Sequence, residues 1–162
     1  MSASPLLALL MAGSLIGPPP PPSGATWSWP VGDGGRPPVV APFDAPEERW
    51  GPGHRGIDLA ATPDSRVAAV DDGVVTHRGR IAGRGTITVT HASGVRSTYE
   101  PVDSTARIGD RVERGETIGR IGDEAGHCIP ATCLHLGAKR GATYLDPLAF
   151  FGAQRVILLP VP

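Results

Sequence analysis

Thr86-Ile87-Thr88-Val89-Thr90-His91 alternates hydroxyl and branched apolar side chains without a break. Alternation of period two puts Ile87 and Val89 on one face and the threonines on the other, the pattern of a half-buried strand. β-branched residues suit such a pleated surface. Outward from this stretch the same signals recur. Residues 73–77 form the preceding strand, joined across a turn at 81–85. Residues 96–99 form the answering strand, and Pro101 ends it because proline has no N–H to donate. Asp71-Asp72-Gly73 reads as a hairpin turn between 67–70 and 73–77. A second tight turn separates 112–115 from 117–121, and Cys133 to Lys139 makes a late strand. None of the glycines has the strand-to-helix context of a dinucleotide or phosphate loop. The chain reads as all-β, an antiparallel sheet core with short hairpins.

Two polar motifs interrupt this pattern. If His54-Arg55-Gly56-Ile57-Asp58 is extended, His54, Gly56 and Asp58 share a face. In Cys133-Leu134-His135-Leu136 the cysteine and histidine share a face, with both leucines opposite. Two imidazoles and one carboxylate make an open three-ligand set for zinc, leaving a fourth position for water. Gly56 lies between the ligands, where a side chain would crowd the metal. His77 reads as a surface histidine, and His91 caps its strand away from the triad. Asp146 before Pro147 reads as the N-cap of a short helical turn.

The order of these motifs resembles a family. His54-x-x-x-Asp58 is followed by Val67-x-Ala69-x-x-Asp72-Gly73-Val74-Val75, the 86–91 strand and Ser97-Thr98-Tyr99-Glu100. Then come Gly109-Asp110-Arg111-Val112-x-x-Gly115-Glu116-Thr117-Ile118-Gly119, Cys133-Leu134-His135-Leu136 and Tyr144-Leu145-Asp146-Pro147. Over residues 39–151 this is similar to the lysostaphin-type (LytM-type) zinc metallopeptidases. The resemblance implies a duplicated hybrid-motif β fold and one zinc ion held in a groove by His54, Asp58 and His135. It also implies an extracytoplasmic substrate, the peptide crosslinks of peptidoglycan. Tyr99 would lie near that groove. Trp50, before Gly51-Pro52-Gly53, would wall it or pack in the core.

The departures matter as much as the match. Where the family carries H-x-H this chain has Cys133-Leu134-His135, and where it carries Y-x-H this chain has Tyr99-Glu100-Pro101. The two absent histidines are the family's proton-handling helpers. His127 and Cys133 are the remaining candidates for that catalytic duty, with Glu100 a further one. The expectation is a zinc-binding domain directed at peptidoglycan or its stem peptides that turns over weakly or not at all. An active zinc metalloendopeptidase and a non-catalytic cell-wall binding or regulatory module are the alternatives. Another cell-wall hydrolase is a possible partner, and the domain is expected to be monomeric. The twin turns at Asp72-Gly73 and Arg114-Gly115 also resemble biotinyl or lipoyl carrier domains, but neither tip has the lysine a carrier needs.

Cys128 and Cys133 are the only cysteines and bracket Ile129-Pro130-Ala131-Thr132. Even count, close spacing and an exported protein favour a disulfide. The competing reading is a Cys133 thiolate that closes the zinc site as a fourth ligand. Either outcome removes Cys133 as a base. Residues 1–25 read as a signal-like leader with a proline-rich spacer, 26–152 as the domain and 153–162 as a tail. The apolar run 6–16 is too short for a stable membrane span, and no Lys or Arg precedes it. Lys+Arg 15 against Asp+Glu 16 argues against a long basic surface for nucleic acid.

Overall fold

The computed structural model describes residues 26–48, 50–123 and 128–152. The leader, the tail and His127 lie outside the described residues. The strands in chain order are β1 (Val39–Ala41), β2 (Gly56–Ala60), β3 (Arg66–Ala68), β4 (Gly73–Ile81), β5 (Arg84–Thr90) and β6 (Val95–Glu100). They continue with β7 (Val102–Asp103), β8 (Arg111–Val112), β9 (Thr117–Ile121), β10 (Cys133–Arg140) and β11 (Thr143–Leu145). A single 3₁₀ turn, Pro147–Phe150, follows, and the Asp146 carboxylate caps it by accepting from the Leu148 N–H at 2.9 Å.

All strand pairs are antiparallel. The large sheet runs β1-β2-β10-β6-β5-β4-β8, with β11 on β10, and a small sheet runs β3-β9-β7. This is the antiparallel β-sheet core that the alternating stretches pointed to, in the LytM-like form that the resemblance implied. Ile87 and Val89 are fully buried, as their parity required, and they meet Ile57, Leu59, Leu134 and Leu136 in the core between the sheets. Trp27 and Trp29 lie in irregular chain and cap the core by stacking on Phe150 and Phe151, respectively, at 4.4 and 3.8 Å between centroids.

The turn at Asp71-Asp72-Gly73 is not a hairpin. β3 pairs with β9 in the small sheet and β4 pairs with β5 and β8 in the large one, so the turn is a corner between sheets. Gly73 permits that corner: a Cβ there would stand 2.6 Å from the Thr90 carbonyl oxygen. The turn after β8 works the same way, handing the chain back to the small sheet at β9.

Tyr99 is fully buried rather than at the groove. It faces the core opposite Ile87 and Leu136, because the site face of β6 belongs to the next residue, Glu100. Its hydroxyl accepts from the Val70 N–H at 2.9 Å and sits 2.9 Å from the Ser97 hydroxyl, which meets His91 Nε2 at 2.8 Å. His91 Nδ1 lies 2.8 Å from the Asp72 carbonyl, so this buried polar chain ties β5 and β6 to the corner.

Candidate metal centre

β2 and β10 are direct neighbours, with Asp58 opposite His135, Gly56 opposite Gly137 and Ala60 opposite Cys133. Opposed residues in an antiparallel pair project to one face, so Asp58 and His135 meet across the ladder. His54 arrives differently from the sequence expectation. The strand begins only at Gly56, and His54 is anchored one step earlier by paired backbone hydrogen bonds with Asp44. From there its ring still reaches the other two.

Three ligand-type atoms converge. His54 Nε2 lies 3.1 Å from Asp58 Oδ1 and 3.1 Å from His135 Nδ1, and the last two are 2.9 Å apart. Atoms bound at 2.0–2.2 Å around a tetrahedral zinc lie about 3.3 Å from one another, so the triangle needs only slight expansion to hold one ion. The orientation of His54 is set from behind: its Nδ1 is 2.6 Å from the Pro42 carbonyl oxygen and donates to it. In the neutral ring this leaves the Nε2 lone pair facing the triangle, the outer hydrogen bond typical of metal-bound histidine. A lone pair on Nε2 facing the Asp58 carboxylate is repulsive until a cation stands between them. Asp58 is only 2% exposed, so water does little to relieve that charge.

Gly56 keeps the His135 ring in place. A Cβ at 56 would lie 2.7 Å from His135 Cε1 and Nε2 and 2.4 Å from the Leu136 carbonyl oxygen. The crowding would fall on the ring of a ligand and on the ladder, not on the ion itself.

Cys128 and Cys133 are joined as a disulfide. Cys128 Sγ stands 3.7 Å from Asp58 Oδ2, and both sulfurs lie near the carboxylate. Bonded to each other, they offer no thiolate, which removes the closed four-ligand site and leaves Cys133 unable to accept a proton. Pro101, at the other helper position, is buried and has no titratable group. Glu100 does face the site, opposite His135, but its carboxylate is engaged by Arg84 and by the Thr86 hydroxyl 3.3 Å away. Trp50 is 85% exposed on the loop before His54, so it is not a core residue. His77 is half-buried on β4, and its Nε2 is shielded from solvent without a hydrogen-bond partner among the described residues.

Sequence reasoning missed the Pro42 carbonyl, for which a sequence carries no signal. It also missed a groove that continues from the triad over the open face of the large sheet. Parity could have found this groove: Gly137 and Lys139 follow His135 at intervals of two, and Thr98 and Arg96 precede Glu100 likewise.

The model of peptidase family M23 matches residues 52–147, which include all three candidate ligands. The chain belongs to peptidase family M23. Members of this family are secreted or act at the cell wall, and the disulfide of this M23 domain agrees with that oxidising location. An uncharacterised protein of Mycobacterium tuberculosis is 38% identical over 162 residues, covering 94% of this chain and 63% of its own length. The M23 domain described here thus spans under two thirds of that relative. DD-carboxypeptidase/endopeptidase Mpg of Neisseria meningitidis is 32% identical over 110 residues, 67% of this chain and 24% of its own. Among solved structures, Csd3 of Helicobacter pylori superposes with a TM-score of 0.62 at 23% identity, over 83% of this chain and 37% of its own. A zinc-containing peptidase of Vibrio cholerae gives 0.61 at 22% identity, over 76% and 39%. Both share the fold.

Proposed function

We propose that this M23 domain holds one zinc ion through His54, Asp58 and His135 and engages peptidoglycan stem peptides as a monomer, with weak or absent endopeptidase turnover. The observation that carries the zinc is the convergence of three donor atoms within 3.1 Å of one another, with the His54 tautomer fixed by Pro42. Bound zinc supplies a Lewis acid that polarises a carbonyl and acidifies its water. Asp58, buried between the imidazoles, would offset half of its charge, and Gly56 leaves room for the His135 ring. A positioned proton acceptor adds about 10²–10⁴-fold to such hydrolysis. Proline and a disulfide sulfur at the helper positions cannot provide it. A partner hydrolase would then be the natural recipient of a peptide-bound, non-cleaving domain.

A second reading is favoured by one observation, the place of Glu100 opposite His135 on the site face. In that reading the domain is an active endopeptidase, and Glu100 takes the proton after release from Arg84.

Two measurements test these readings. Metal analysis should find one zinc per chain in the wild type and little in His54→Ala, Asp58→Ala and His135→Ala; equal zinc in all four would sink the site. Muropeptide release by zinc-loaded protein should match the no-enzyme control. Robust release that disappears with His135→Ala would overturn the weak-turnover reading, and its loss with Glu100→Gln or His127→Ala would identify the acceptor.

A further inference from the structure

The groove that begins at His135 is about 640 Å³ in volume and changes character along its length. Near the triad it is lined by His135 and Glu100. Further along β10 and β6 it reaches Lys139 and Arg96, which oppose each other in the ladder, and Arg55 and Tyr144 close its side. Its floor is made of threonines whose hydroxyls pair with one another, Thr88 with Thr98 at 3.0 Å and Thr76 with Thr90 at 2.9 Å.

The cations are held in place. Lys139 Nζ and the Arg55 guanidinium stand over the Tyr144 ring, 4.6 and 5.7 Å from its centroid. Arg55 also donates to the Gly51 carbonyl at 3.0 Å, and Arg96 donates to the Gly141 carbonyl at 2.9 Å. The Gly141 carbonyl and the Tyr144 π-face orient Arg96 and Lys139 without neutralising them. Among the described residues neither Arg96 nor Lys139 has a carboxylate partner. The acid in this groove, Glu100, is at the opposite end and is taken by Arg84. The outcome is a groove with the candidate metal triad at one end and, at the other, Arg96 and Lys139 with no carboxylate partner among the described residues. Lys139 lies four strand positions beyond His135, a span of about 13 Å at the rise of a β-strand.

Resting on the metal reading above for the position of the reacting end, we infer that the groove receives an extended peptide bearing a carboxylate. That carboxylate, about four residues from the bond placed at the triad, binds between Arg96 and Lys139. The threonine floor supplies uncharged donors and acceptors to the peptide backbone. Tyr144 limits the width and keeps the cations apart. A neutral peptide would find the same floor but no partner at the far end, so charge at one position sets specificity.

The test is binding, which does not require turnover. The probes are rhodamine-labelled hexapeptides of alanine with an amidated C-terminus and either Glu or Gln at one end, plus the all-alanine peptide with a free C-terminal carboxylate. These three separate a side-chain carboxylate from a terminal one. Anisotropy at low salt should show the carboxylate peptides binding about fivefold or more tighter than the Gln peptide, a preference that shrinks as salt screens it. Lys139→Glu and Arg96→Gln, with circular dichroism confirming the fold, should lose the preference. Equal affinity for the Glu and Gln peptides, or an undiminished preference in Lys139→Glu, overturns the inference. So does displacement of the Glu peptide by an oligothymidylate at equal charge concentration, which would make the positive end a polyanion site. Zinc content measured on the same samples separates the two proposals. In the wild type, absence of any peptide preference with zinc retained removes this inference alone, and preference without zinc removes only the metal reading.

Discussion

Gly56→Ala adds one methyl group at the point where β2, β10 and the His135 ring meet. The backbone at Gly56 is not in the left-handed region, so alanine is conformationally acceptable and by itself would stabilise the chain by about 0.4–1 kcal/mol through the unfolded state. Space decides the sign. The new Cβ falls about 1 Å inside ordinary contact with the Leu136 carbonyl and about 0.7 Å inside contact with the His135 ring. The carbonyl belongs to a central ladder and cannot move alone, so the strands separate or the ring turns. Overpacking of this kind costs about 1–3 kcal/mol, which outweighs the entropy gain and leaves a net loss of about 1–2 kcal/mol. Metal binding suffers as well, because a ligand displaced by 0.7 Å exceeds the ±0.2 Å or so that a metal site tolerates; zinc affinity should fall about 10–100-fold. The comparison is Gly137→Ala, directly opposite on β10 and facing the same ring, where the nearest atom to an added Cβ is 3.7 Å away. That variant should be neutral or slightly more stable. Urea unfolding of the metal-free proteins and zinc competition with a chromophoric chelator measure both effects. Matching midpoints and zinc affinities in the two variants would refute the assignment of Gly56 to this clearance.

Tyr99→Phe removes the acceptor of the buried Val70 N–H and should lower stability by about 1–3 kcal/mol in urea unfolding, with zinc content unchanged. Burial is the main influence on His91 and lowers its pKa from about 6.5, against the Asp72 carbonyl and the carboxylates of Asp71 and Asp72. The unfolded chain therefore binds the extra proton first, and stability contributed by neutral His91 is lost as pH falls from about 6.5 toward the lower folded value. Metal-free wild type should lose stability more steeply than His91→Gln between pH 7 and pH 5, and parallel pH curves would contradict this. Replacing both cysteines by alanine opens a short loop and should lower stability by about 2 kcal/mol, read from the urea midpoint.

Strand identity was legible because it rests on side-chain alternation, which burial enforces directly. Ile87, Val89, Leu134 and Leu136 are buried as their spacing required, and Asp58 and His135 face each other for the same reason. The corner at Asp72-Gly73 was not legible. A tight turn and its flanking strands look alike in sequence whether the chain folds back on one sheet or crosses to another, and the difference lies in distant partners such as β9. Tyr99 was misplaced at the groove through resemblance, although parity with Glu100 already pointed it the other way. His54 reaches the site by its bridge to Asp44, a contact between two loop residues that no periodicity encodes.

The disulfide beside Asp58 makes the coordination chemistry of this domain conditional on its surroundings. A dithiol reductant would convert Cys128–Cys133 into two thiols and leave both sulfurs near the carboxylate that the histidines share. Thiolates are softer and stronger ligands for zinc than a carboxylate oxygen. In a reducing compartment they would therefore compete for the ion and fill the position an open site keeps for water or substrate. Oxidation here does more than brace a loop: if the proposed zinc site is right, it withholds two competing ligands, and the same polypeptide would present an open site in an oxidising compartment and a sulfur-blocked one in a reducing compartment.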